Sequence, residues 1–152
     1  MKIEAATRSD VRFVASKMRD RDAAEFLAVS DALDQRALVE KLVPRYARDG
    51  ICARADMPVA VGAMFIARPN VATLGFFATD EFPSIVVGLT RFIRTVLFPR
   101  YRAAGVHRIE CISKADYADA HRWIELLGLT QEATMRGFGR GGEDYVQFAW
   151  VK

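Results

Sequence analysis

Apolar residues recur along this chain with two different periods, and the changes of period mark its elements. Residues 2–6 predict a short opening strand. Val11, Val14 and Met18 then fall at helical spacing behind Ser9, whose hydroxyl is expected to cap that helix with Asp10 in its first turn. Asp22 and Glu25 stand three apart as an Asp variant of the capping box, ahead of Phe26 and Val29. Leu38, Leu42 and Tyr46 predict a third helix, expected to end on a glycine stop at Asp49-Gly50.

The period then shortens. Residues 51–54, 59–67 and 71–79 are rich in β-formers, and Asp56-Met57-Pro58 and Arg68-Pro69-Asn70 between them are turn chemistry. Residues 84–101 return to helical spacing through Ile85, Leu89, Phe92 and Val96, and Pro99 is expected to end or kink that helix. Arg91 and Arg94 fall outside its apolar stripe. A strand is predicted over residues 107–112 and a helix over 116–127, stopped by Gly128. Strands over 132–138 and 144–151 flank the turn Gly139-Arg140-Gly141-Gly142. In the last, Tyr145, Gln147 and Ala149 alternate with Val146, Phe148 and Trp150, the pattern of a half-buried strand. This order predicts an α/β fold built on a mixed sheet with helices on both faces.

Composition narrows the class. The chain has 152 residues, 51% apolar and 27% charged, which fits one globular domain spanning 1–152. The longest apolar run, residues 59–67, is too short to cross a bilayer, and the first residues lack the apolar core of a signal peptide, so a cytoplasmic site is expected. Cys52 and Cys111, with two histidines, make no clustered metal set; they read as reduced, buried thiols, and no metal is expected. The net charge of +3 comes from arginines spread along the chain. No concentrated basic stripe is visible, so nucleic acid is the weakest partner class.

The element order resembles the GNAT superfamily of acetyl-CoA-dependent N-acyltransferases. The residues that carry the resemblance are chiefly "AHRWIELLGL", residues 120–129, followed by a strand, the turn "GRGGEDY" and a final strand. A narrower resemblance covers more of the chain. GNAT-like proteins of short-tailed phages and prophages are similar in an early Arg19, Asp22 and Glu25, a strand ending in Thr79-Asp80, a long helix without a glycine loop, and Arg122-Trp123 before Leu-Gly. One such group comprises internal virion proteins. The resemblance implies a GNAT-like acyl-CoA N-acyltransferase fold, acetyl-CoA as the family cofactor, and phage or host proteins as partners. It also implies an open edge at Phe77, Ala78 and Thr79, where the fourth strand would splay from the fifth and its free backbone groups would hold the acyl and pantetheine part of the cofactor.

Two departures bear on chemistry. The family grips pyrophosphate with a Gln/Arg-x-x-Gly-x-Gly/Ala loop, whose N–H groups point at the anion. Here the corresponding residues are Thr79-Asp80-Glu81-Phe82-Pro83-Ser84, with no glycine, one donor removed by Pro83, and two carboxylates. Each carboxylate at ~4 Å from a phosphate costs about 4 kcal/mol at an effective dielectric of about 20. Ser84 at the helix start is the one side chain that could still donate. The second departure is Ile124, four residues before Gly128, where many members place a tyrosine that protonates the leaving thiolate. Tyr117 is the candidate replacement acid and Glu110 the candidate base; His107 and His121 read as structural, and Cys111 as an unactivated thiol.

Two functions therefore compete. One is a phage- or prophage-derived protein with weak or lost acetyl transfer, serving virion assembly or host interaction. The other is a working acetyl-CoA-dependent N-acetyltransferase acting on a small amine or a protein amino group.

Overall fold

Seven strands and six α-helices make up most of the computed structural model, which describes residues 1–152. The strands are β1 (Lys2–Ala5), β2 (Gly50–Arg54), β3 (Pro58–Arg68), β4 (Val71–Ala78), β5 (Arg108–Lys114), β6 (Thr130–Met135) and β7 (Tyr145–Val151). They form one mixed sheet in the order β1-β2-β3-β4-β5-β7-β6. β4 and β5 are parallel, and β1–β2, β2–β3, β5–β7 and β6–β7 are antiparallel. The helices are α1 (Arg8–Ser16), α2 (Asp20–Leu27), α3 (Gln35–Asp49), α4 (Val86–Phe92), α5 (Phe98–Ala103) and α6 (Ala118–Leu126). The chain divides into two compact units, Met1–Met64 with Gly75–Gly88 and Phe65–Leu74 with Leu89–Lys152.

In the first unit the caps differ from expectation. Helix α1 is capped by Thr7, not Ser9: Thr7 Oγ1 accepts the Asp10 N–H at 3.1 Å, and Asp10 Oδ2 accepts the Thr7 N–H at 3.0 Å. Thr7 takes the role because its extended backbone aims its oxygen three residues on, and Asp10 completes the reciprocal box. Helix α2 has no side-chain cap at all; Asp22 faces elsewhere. Gly50 ends α3 in extended backbone rather than the left-handed turn expected of a glycine stop. Glycine is needed there for space, since a Cβ would overlap the Tyr46 carbonyl. The core includes Val11, Val14, Leu38, Val43, Val61 and Phe77, all fully buried, with the Phe77 ring edge-on to Phe26 and Tyr46 at 5.6 and 5.0 Å. Such aromatic pairs add about 1 kcal/mol each beyond the area they bury.

In the second unit, Arg108 through Lys114 pair with Val151 through Tyr145, and β6 pairs on the far edge of β7 with a bulge between Gln131 and Ala133. β7 is buried at Tyr145, Val146, Phe148 and Ala149, so it is a nearly two-sided interior strand rather than a half-buried one. Pro99 does not end the long helix. A π-turn over Ile93–Leu97 widens the ladder ahead of it, and Pro99 sits in the first turn of α5, where its missing N–H is tolerated. Gly128 closes α6 with φ 101°, the left-handed cap its sequence position predicts.

Candidate functional site

The end of β4 and the turn that follows it are where the resemblance implies the cofactor would be held. Both lie in the first unit. Alternate residues of a strand direct their N–H and C=O to opposite edges. Thr79 turns toward β3, donating its N–H to the Val59 carbonyl at 2.9 Å. Ala78 therefore turns toward the other edge, and both of its backbone groups are taken by the start of α2 and the residue before it. The Arg19 N–H donates to the Ala78 carbonyl at 2.9 Å, and the Ala78 N–H donates to Asp22 Oδ2 at 2.9 Å. Met18 and Thr79 complete a one-residue antiparallel bridge. The edge expected to be open at Ala78 is occupied by the protein itself, because the Asp22 carboxylate, twelve residues after Asp10, reaches the strand and takes its N–H.

Asp22 is held in turn. It is 5% exposed and accepts the Arg19 Nε and Nη2 hydrogens at 3.0 and 3.1 Å, a bidentate pair. The Arg19 guanidinium also lies 4.7 Å from the centre of the Phe82 ring. A buried carboxylate needs this degree of pairing, since burying it alone costs several kcal/mol. Arg19 and Asp22 entered the sequence reading only as a family-like pattern and a cap. Their joint role was not visible because the group they satisfy is 56 residues away along the chain.

The turn after β4 uses its donors on itself. Phe82 N–H bonds to the Thr79 carbonyl at 3.1 Å, Ser84 N–H to the Glu81 carbonyl at 3.0 Å, and Ile85 N–H to the Phe82 carbonyl at 3.1 Å. Glu81 N–H points at Thr79 Oγ1 at 3.4 Å, and Pro83 has no N–H. The Ser84 hydroxyl, the one side-chain donor expected for a ligand, donates to the Glu81 carbonyl at 2.7 Å. This tight turn over Phe82–Ser84 follows from the absence of glycine: the residues keep ordinary negative-φ geometry, which closes i to i+3 bonds instead of presenting a row of N–H groups. Phe77, the remaining cofactor candidate, is fully buried in the core.

The catalytic candidates belong to the second unit. Glu110 Oε2 accepts from Arg108 Nε at 2.6 Å and from Gln147 Nε2 at 3.5 Å, with Arg68 at 3.7 Å; Arg108 also pairs with Glu132. Glu132 is held below the usual carboxylate range by its bond to Arg108, and Arg108 is pushed up by the same bond. Glu110 thus sits in an ion-pair network that ties β3, β5, β6 and β7 together, a role the sequence could not show because its members come from four strands. Tyr117 is buried at 7% exposure just ahead of α6, its N–H on the Lys114 carbonyl. Ile124 is buried. His121 Nε2 lies 2.9 Å from the Lys114 carbonyl with its ring 5.3 Å from Phe148, and the His107 N–H bonds to the Asn70 carbonyl. Trp123 donates to Thr90 Oγ1 at 2.8 Å, and Arg122 pairs with Asp119. Cys52 and Cys111 are buried free thiols, and burial pushes Cys52 up to about 11. No group of three His, Cys, Asp or Glu residues could hold a metal ion, and no helix is long and apolar enough to cross a membrane.

No family model matches the sequence, and no curated protein matches it. Solved structures do. The ribosomal-protein-alanine N-acetyltransferase of Brucella melitensis matches with a TM-score of 0.73 over 100% of both chains at 16% identity. A GNAT-superfamily phosphinothricin acetyltransferase of Sinorhizobium meliloti, in complex with acetyl-CoA, matches with a TM-score of 0.73 over 99% of this chain and 87% of that one at 11% identity. A putative acetyltransferase of Salmonella typhimurium with its cofactor acetyl-CoA matches at 0.66, over 99% and 93%, at 15% identity. The chain has the GNAT acyl-CoA N-acyltransferase fold from end to end. None of these three structures is a phage or virion protein.

Proposed function

We propose that this chain is a GNAT-fold protein in which acetyl transfer is weak or lost, of phage or prophage origin, serving particle assembly or contact with a host protein. The observation that carries the first part is the sealed end of β4: Asp22 and Arg19 hold both backbone groups of Ala78, and residues 81–85 spend their donors within their own turn. A pyrophosphate arriving there meets no free row of N–H groups and two carboxylates, Asp80 and Glu81. The phage origin rests on the residue pattern Arg19, Asp22, Glu25, Thr79-Asp80 and Arg122-Trp123, two of whose members are the pair that seals the strand.

Calorimetric titration with acetyl-CoA tests this reading. No saturable heat at millimolar ligand is the expected result. Micromolar binding that weakens in Ser84→Ala would overturn it.

A second reading has its own support. Matches of whole-chain length to acetyltransferases, some with acetyl-CoA in place, favour a working N-acetyltransferase for a small amine or a protein amino group. The name of the Brucella melitensis enzyme makes a peptide with an N-terminal alanine the first acceptor to try. Thiol release from acetyl-CoA that depends on that peptide would support the second reading against the first.

A further inference from the structure

The charge of this molecule is distributed more unevenly than its net value of +3 conveys. From residue 82 to residue 109 there are five arginines and no Asp, Glu or Lys, so the rest of the chain, with seventeen basic and nineteen acidic residues, is net negative. Elsewhere several arginines are paired with acids: Arg12 with Glu40, Arg19 with Asp22, Arg54 with Asp10, Arg122 with Asp119. Within the acid-free stretch Arg108 is paired with Glu110 and Glu132, and Arg102 stacks 4.0 Å from the centre of the Trp150 ring. That leaves Arg91, Arg94 and Arg100. All three are exposed, and none has a side-chain hydrogen bond or ion pair.

These three belong to one continuous helical run, α4 through the π-turn to α5. The inward positions of the run are Leu89, Ile93 and Phe98, and the step from Ile93 to Phe98 is one residue longer than an α-helix gives. The π-turn thus shifts the outward positions in the same sense, and Arg91, Thr95 and Arg100 follow one another on the solvent side, with Arg94 beside them. At 1.5 Å per residue the three guanidiniums are spread over roughly 13 Å of helix. Flexible arginines on that spacing reach several consecutive phosphates, and guanidinium forks match phosphate oxygens two at a time.

We propose that this helix face binds the phosphate backbone of double-stranded nucleic acid, without reading its sequence. The chemistry is that of backbone contacts alone: three unpaired forks, no acid on the face, and no base-reading amide side chain among them. A protein whose remaining residues are net negative is oriented by such a face, which presents a row of three unpaired arginines to a polyanion.

Fluorescence anisotropy with a labelled duplex of 20 base pairs, at 50 and 200 mM salt, tests the proposal. Three phosphate contacts predict a salt slope of about 2.7, hence affinity about 40-fold weaker at the higher salt. R91Q/R94Q/R100Q is expected to abolish the salt-dependent binding while far-UV circular dichroism stays that of the parent, and Arg12→Gln, on a paired arginine, is expected to change nothing. Equal affinity of the triple variant and the parent would overturn the proposal. So would no binding of the parent to duplex at 50 mM salt, or binding to phosphatidylserine vesicles with none to duplex.

Discussion

Two turns of this molecule handle part of their backbone donors differently. Residues 79–85 contain no glycine, and the N–H groups of Phe82, Ser84 and Ile85 all fall on carbonyls of the same turn. Residues 136–144 contain Gly137, Gly139, Gly141 and Gly142; there Gly139 and Gly142 N–H bond to carbonyls of the turn, but Gly137 N–H reaches Asp144 Oδ1 at 2.9 Å and Gly141 N–H reaches Glu143 Oε2 at 3.1 Å. Gly137 and Gly142 adopt φ of 62° and 87°, values that cost a side-chain-bearing residue, and a Cβ at Gly139 or Gly141 would overlap the Glu143 carboxylate. An anion-holding turn needs backbone that can leave the helical basin. The glycine turn satisfies two of its donors with the chain's own acids, and a closed turn stands where the resemblance implies the pyrophosphate would be held.

The largest effect is expected at the sealed strand end. Asp22→Ala leaves the Ala78 N–H and the Arg19 guanidinium without their partner, and should lower stability by about 3 kcal/mol in urea unfolding. A change under about 1 kcal/mol would mean that water replaces Asp22 without cost and that the edge is open in practice.

Asp10 offers the same test with a pH handle. Burial raises its carboxyl, but the Thr7 N–H and hydroxyl and the Arg54 guanidinium outweigh that, so it is held below its ordinary value. A depressed folded value gives stability that is complete above the unfolded carboxyl range and lost as pH falls through the folded value. The urea midpoint should therefore hold above about pH 5 and fall below about pH 4, with Asp10→Asn removing part of that fall and costing about 1 kcal/mol at neutral pH. An unchanged acid profile in the variant would show that Asp10 is not the group responsible.

Pro83→Gly attacks the closed turn directly. It restores one N–H and the freedom of the backbone, and should cost about 1 kcal/mol while speeding amide exchange at Ser84 and Ile85. Exchange as slow as in the parent would show that the turn is held from outside rather than by its own residues. The smallest effect belongs to the glycine turn, where Glu143→Ala should cost roughly 0.5 kcal/mol, because the freed Gly141 N–H is exposed and water takes it. A loss several times larger would mean that the carboxylate organises the whole hairpin end.

The fold was readable because it is written in local periodicity. The strands at 50–54, 58–68 and 71–78, the helix closed by Gly128, and the terminal hairpin all follow from alternation, helical spacing and turn residues within a few positions of one another. The details that failed were those decided across the chain or by backbone geometry. Ser9 and Thr7 are both acceptable caps by type, and only the backbone direction at Thr7 chooses. Pro99 breaks a regular α-helix, yet the π-turn ahead of it absorbs the missing bond. At the site, the missing glycines of residues 79–84 were legible as an absence, whereas what replaces them was not. Asp22 finds Ala78 from helix α2, and Glu110 finds Arg68 and Gln147 from neighbouring strands, through pairings that no local pattern announces.

What decides anion binding at this end of β4 is whether the amides of residues 81–85 are available. An amide-resolved NMR titration with acetyl-CoA reads those groups one by one. Phe82, Ser84 and Ile85 are expected to keep their shifts and their exchange protection at millimolar ligand, because their N–H groups are bonded within the turn. Saturable shifts at these three amides in the micromolar range, with loss of the bonds inside the turn, would contradict that expectation.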